Sequence, residues 1–162
     1  MRKGEYSFSY EVYENIEELG QIEAALLKVA RKLSGNAYAP YSQFLVGAVA
    51  RLANGEIITG TNQENASFPV GLCAERALLA AAATLFPDVP IEIMAISYQS
   101  LNGGSSHPIS PCGMCRQAMQ EFEERTNYPI KLILGGQEGK ILVVENSSML
   151  LPLAFTAKEL RK

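Results

Sequence analysis

No run of apolar residues approaches the ~18 that a membrane-crossing helix requires, and the N-terminus, Met1-Arg2-Lys3-Gly4-Glu5-Tyr6, lacks the apolar stretch of a secretory leader. A cytoplasmic protein with no membrane partner is the expectation. Positive charge is not concentrated anywhere: 14 basic residues are scattered along a chain of net charge −3, so no nucleic-acid footprint is present. Cysteine is scarce. Three residues, an odd number, all lie between Cys73 and Cys115, which makes a poor disulfide framework and turns attention to metal binding or catalysis. Internal repeats and low-complexity linkers are also missing. What remains is 162 residues that are 48% hydrophobic and 19% charged, enough for one core, and residues 1–162 are expected to form a single domain.

From Asn15 to Leu33, apolar residues recur at steps of mostly three or four, which predicts one long helix capped by Asn15 with Glu18 three residues on. The turn-rich stretch 34–42 leads to an apolar strand over 44–52. Asn54-Gly55 then makes a hairpin turn into a returning strand over 56–61. An alanine- and leucine-rich helix opens at Cys73 and runs to about Phe86, where Pro87 and Pro90 stop it. Ile91 to Tyr98, apolar on both faces, reads as a central strand. A long loop from Gln99 to Pro111 precedes a helix from Cys112 to about Thr126. Two last strands, 130–134 and 141–145, are separated by six residues; a parallel crossover needs about a dozen, so neighbours here must run antiparallel. The order predicts a three-layer α/β/α domain with a mixed sheet of about five strands.

Cys73-Ala74-Glu75 and Pro111-Cys112-Gly113-Met114-Cys115 both fall where a loop enters a helix. A helix N-terminus carries unpaired N–H groups and roughly half a positive charge, which favours the thiolate that zinc requires. Cys73, Cys112 and Cys115 therefore read as three ligands of one Zn2+. Structural zinc sites are usually closed by four ligands, whereas catalytic ones keep a position for water. Three thiolates leave the centre with excess negative charge, and Arg76, Arg116 and the two helix ends are the positive groups available to offset it. Glu75, beside the ligands without being one, is placed to move protons. Two other readings stay open. A purely structural zinc would need a fourth ligand, for which His107, the only histidine, is the candidate. A dithiol redox pair would use Cys112 and Cys115 and leave Cys73 and Glu75 unexplained.

These strings, taken in order, resemble the cytidine deaminase family in its small, homotetrameric, all-cysteine form. The likeness runs from about Ile22 to Leu160. It includes Tyr38-Ala39-Pro40-Tyr41-Ser42, Phe44 with Val46-Gly47-Ala48, Asn62-Gln63-Glu64-Asn65-Ala66-Ser67, Cys73-Ala74-Glu75-Arg76, Pro111-Cys112-Gly113-Met114-Cys115-Arg116-Gln117, and Leu151-Pro152 before Phe155. The resemblance implies hydrolytic deamination of cytidine and 2′-deoxycytidine in pyrimidine salvage, with zinc as cofactor. By position it implies that Asn62 and Glu64 bind the ribose 3′-hydroxyl, that Phe44 packs on the pyrimidine and that the Ala74 backbone contacts the ring carbonyl. It also implies that Arg76 bonds a ligating sulfur and that Phe68 and Phe155 are lent to a neighbouring subunit's pocket. Alternatives are a deaminase of another aminopyrimidine nucleoside, such as a blasticidin-type antibiotic, and a non-catalytic zinc-binding domain. Nucleic-acid editing is disfavoured by the acidic balance. The chain departs from the family in its first fifteen residues, which carry no assigned role, in a longer loop over 99–110, in Met114 and in Ala157.

Overall fold

The computed structural model describes residues 1–160. Six strands form one mixed sheet in the order β1-β6-β5-β4-β2-β3, one more strand than the sequence predicts. They are β1 (Glu11–Tyr13), β2 (Phe44–Leu52), β3 (Ile57–Thr61), β4 (Ile91–Ser100), β5 (Lys131–Gly135) and β6 (Ile141–Val144), and the helices are α1 (Gln21–Ser34), α2 (Ala74–Leu85) and α3 (Gly113–Thr126). The extra strand lies in the N-terminal stretch, where Glu11 to Tyr13 pair antiparallel with Val143 to Ile141 at the sheet edge. β4 and β5 are the one parallel pair, and β5 and β6 run antiparallel, as their short connection requires.

The expected helix over Asn15 to Leu33 is two pieces. Asn15 does cap, but it caps a 3-10 turn over Ile16–Glu18, accepting from the Glu17 N–H, and α1 starts afresh after Gly20. The apolar periodicity runs unbroken across this joint because Ile16 and Leu19 pack into the same core as Leu26 and Leu27. Hydrophobic spacing therefore reported a shared core face and not a continuous helix.

Side chains alternate across the sheet with a period of two, and the helices divide accordingly. Val49, Ala95, Ile133 and Val143, partners across four strands, face α1. The neighbouring positions Ala48, Ile96 and Leu134 face the opposite way, against Leu78 and Ala82 of α2 and Met119 and Phe122 of α3. Two glycines of the β2–β3 hairpin permit this stack to close. A Cβ at Gly47 would fall 2.5 Å from Ala30 O of α1, and one at Gly60 would fall 2.6 Å from Leu78 N of α2.

The far end of α3 is fastened by Glu123, only 7% exposed, whose Oε1 accepts from Ile130 N (2.8 Å), Ser147 N (3.2 Å) and Ser147 Oγ (2.7 Å). Replacing Glu123 by Ala strands the buried Ile130 N–H and the Ser147 hydroxyl, while Ser147 N keeps its bond to Ile130 O at 2.9 Å. The expected loss is about 3 kcal/mol, a fall in Tm of roughly 6 to 12 °C for a chain of this size. Thermal unfolding followed by circular dichroism checks this, and a shift under 2 °C would refute the fastening role.

β3 and β4 both run antiparallel to β2, so both leave the sheet at the end where β2 enters. The loops that follow them lead into α2 and α3. Two helix starts and Phe44, the first residue of β2, are thereby brought to one crevice at the carboxyl ends of the strands, a common place for a binding site.

Candidate active site with a three-cysteine metal centre

Cys73 and Cys112 are the cap residues immediately before α2 and α3, both in extended conformation. Their carbonyls accept the first helical bonds, from Ala77 N and Arg116 N, each at 3.0 Å. Cys115, one turn into α3, is fully buried behind them. The three sulfurs converge: Cys73 Sγ lies 3.7 Å from Cys112 Sγ, Cys112 Sγ lies 3.4 Å from Cys115 Sγ, and all three are within 4.8 Å of one another. Sulfurs at ~2.3 Å from a tetrahedral zinc ion stand about 3.8 Å apart, so the donor set fits that ion. Among the described residues no His, Asp or Glu joins the cluster. His107 is turned instead to the Tyr98 hydroxyl, 3.1 Å from Nδ1.

The electrostatics of the cluster follow from hydrogen bonds between its sulfurs, from burial and from neighbouring charges. Hydrogen bonding by Cys115, then by Cys112, with the nearby Arg76 charge, lowers the Cys73 thiol to about 6 despite its partial burial. The bond to Cys73, burial and the neighbouring Glu75 charge push Cys115 the other way. Glu75 sits in the first turn of α2 with 5% of its surface exposed. Burial, and after it the charge on Cys73, raises its carboxyl above the ordinary range. A carboxyl so placed exchanges protons at neutral pH more readily than an exposed one.

A cavity of about 810 Å³ opens over this cluster. Of the residues singled out from sequence, Phe44, Asn62, Glu64, Phe68, Cys73, Ala74, Glu75 and Cys112 line it. Asn62 is held rigidly: its Oδ1 accepts from Val46 N (2.7 Å) and its Nδ2 donates to Phe44 O (2.8 Å). Glu64 accepts from Tyr41 N at 2.8 Å and from Ser42 N at 3.3 Å, and the bonds from Ser42 and Tyr41 hold its carboxyl below the usual range. Phe68, 75% exposed, stands at the mouth against the edge of Tyr41.

Three residues sit elsewhere. Phe155 is exposed outside this chain's own cavity, its carbonyl accepting from Gln117 Nε2. Arg76 faces the groove between α2 and α3, its guanidinium 4.0 Å from the Met114 sulfur. Arg116, counted from sequence among the groups that offset thiolate charge, is committed to backbone carbonyls, donating to Pro111 O (2.8 Å) and Leu150 O (2.9 Å). Its work is to brace the loop that delivers Cys112. Ile109 and Ser110 also line the cavity, and sequence reasoning passed over them although they directly precede Pro111. Tyr98 was missed too; its ring lies under Phe44, centroids 4.8 Å apart and nearly parallel.

Comparison with known proteins agrees with this geometry. Residues 21–129 match the family model described as the cytidine and deoxycytidylate deaminase zinc-binding region. A cytidine deaminase of Halalkalibacterium halodurans is 37% identical over 135 residues, covering 83% of this chain and 95% of that protein. One from Mycoplasma genitalium is 32% identical over 76% of this chain and 81% of its own length. The crystal structure of cytidine deaminase from Burkholderia pseudomallei superimposes with a TM-score of 0.70 at 34% identity, covering 81% of this chain and 97% of that one. The ordered cysteines, the six-stranded sheet and these likenesses converge on one assignment: the chain belongs to the cytidine deaminase family of zinc-binding hydrolases.

Proposed function

We propose that the protein hydrolyses the 4-amino group of cytidine and 2′-deoxycytidine, consuming water and releasing the uridine counterpart and ammonia, as a cytoplasmic step of pyrimidine salvage. The observation that carries this reading is the buried Glu75 carboxyl beside three convergent sulfurs, at the floor of a cavity walled by Phe44, Asn62 and Glu64. Zinc held by Cys73, Cys112 and Cys115 would supply Lewis-acid activation of water. Glu75 takes one proton from the attacking water and passes it to the ring nitrogen, then takes the remaining proton from the new hydroxyl on C4 and gives it to the amino group, so that the C–N bond breaks with ammonia as leaving group and the carbonyl forms, following the known scheme of zinc deaminases. Phe44 offers the pyrimidine a flat apolar wall. The Ala74 N–H, at the first position of α2 where no intrahelical acceptor exists, would meet the ring carbonyl. One hydrogen of the Asn62 amide is spent on Phe44 O and the other is left for a ribose hydroxyl, while the Glu64 carboxylate keeps lone pairs for the same group.

Phe68 at the mouth and Phe155 beyond it suit a homotetramer in which neighbours complete each other's pockets. No helix among the described residues is long and apolar enough to cross a membrane. A panel of cytidine, 2′-deoxycytidine, a blasticidin-type antibiotic and a single-stranded cytosine oligonucleotide, followed by ammonia release, tests the assignment. Turnover of the two free nucleosides is expected, with none of the oligonucleotide. Turnover confined to the antibiotic would overturn it.

A further inference from the structure

The ring of Phe44 does not rest on the hydrophobic core alone. It is the top of a three-ring column that ends in a surface loop. Tyr98, two residues along β4 from the position opposite Phe44, lies on the same face of the sheet and stacks under it at 4.8 Å and 18°. Tyr98 is 1% exposed, and its hydroxyl needs a partner at that depth. Among the described residues that partner is His107, at 3.1 Å from Nδ1, with its ring edge-on to Tyr98 at 5.6 Å.

His107 belongs to the long loop between β4 and α3, and this loop is seated and not loose. Ser105 Oγ accepts from Ser100 N at 2.9 Å, and Ser105 O accepts from Gln137 N at 2.6 Å. Gln137 also donates through Nε2 to Tyr98 O at 3.0 Å, so both ends of the Tyr98–His107 contact are tied to the β5–β6 turn. Gly136 lets the loop come this close, because a Cβ there would lie 2.9 Å from His107 O and nearer still to Ser105 O. Two and three residues beyond His107, Ile109 and Ser110 line the same cavity as Phe44.

We infer that Tyr98 and His107 are positioning residues for substrate binding: their hydrogen bond couples the aromatic wall at Phe44 to the Ile109–Ser110 segment that lines the same cavity, and so sets the shape of the slot that receives the pyrimidine. This rests on the proposed nucleoside deamination. Among the described residues no hydrogen bond links Tyr98 or His107 to the sulfurs or to Glu75, so the effect falls on binding and not on the chemical step.

The test uses the full-length zinc-loaded protein and the variants Tyr98→Phe, His107→Ala, His107→Asn and the double variant Tyr98→Phe/His107→Ala. Tyr98→Phe keeps the stack and removes only the hydroxyl. KM for cytidine should rise about five-fold or more in Tyr98→Phe and in His107→Ala, the factor expected for one lost hydrogen bond, with kcat within two-fold of the parent. The double variant should be no worse than the weaker single, and His107→Asn, which restores a polar partner, should recover most of the loss. Hydrogen exchange of the 101–110 amides should quicken in both single variants. Unchanged KM, losses that multiply in the double variant, or a fall in kcat with KM constant would each overturn the inference. Failure of the unaltered protein to deaminate cytidine would instead sink the function proposed above.

Discussion

Glu75→Gln should all but abolish turnover, lowering kcat by roughly 10²- to 10⁴-fold, the range in which a positioned acid–base group contributes. The substitution is close to isosteric, and its amide can neither accept the water proton nor return one. Because Glu75 is 5% exposed and its carboxyl is already pushed toward the neutral form by burial, exchanging it for a neutral amide carries little folding penalty. Zinc content and Tm should therefore stay near those of the parent. Ammonia release measured beside metal analysis on one preparation decides the matter. Retention of a tenth of the activity would remove Glu75 from the proton path, and loss of zinc would mean that it supports the metal instead.

Cys115→Ala should have an effect as large by a different route. Cys115 is the fully buried member of the cluster, 3.4 Å from Cys112 Sγ, and without it two sulfurs remain at the mouth. Metal affinity should fall by far more than the roughly 10- to 100-fold that loss of a supporting hydrogen-bond partner causes. The purified variant should carry well under one zinc per chain and show no measurable turnover. A ligand in ~1,000-fold excess over its Kd stabilises a fold by about 4 kcal/mol, so added zinc should raise the Tm of the parent and leave that of the variant in place. In chelator the two proteins should melt within a few degrees of each other, since one small side chain is lost. A variant that still binds one zinc per chain would show that the three-sulfur centre is misassigned.

Much of the site could be read from the residues because its parts are local. A cysteine at the cap of each of two helices, with Glu75 one step inside the first turn, is a pattern that spacing and helix-start signals disclose directly. The antiparallel β5–β6 pair followed from a loop too short for anything else. What escaped depends on contacts between distant segments. β1 is three residues whose pairing with β6 no local signal announces. Gly20 breaks the helical register without disturbing the apolar spacing around it. Tyr98 looked like one more core residue of a central strand, and only the fold sets it beneath Phe44 and beside His107. Arg116 shows what spacing leaves out: it stands beside the ligands in sequence, and the fold turns two of its donors to the carbonyls of Pro111 and Leu150.

The β2–β3 ribbon is, at one point, as thin as a polypeptide can be. Gly47 and Gly60 sit diagonally across its two strands and look toward opposite layers, so that α1 and α2 each rest on bare backbone there. A single methyl at Gly60 would tip α2, and with it the ledge on which residues 73 to 75 stand, and one at Gly47 would lift α1 from the other side of the sheet. Redesign of this scaffold toward bulkier bases thus has freedom along the rim, at Tyr41 or Phe68, and almost none at two positions that never meet the ligand.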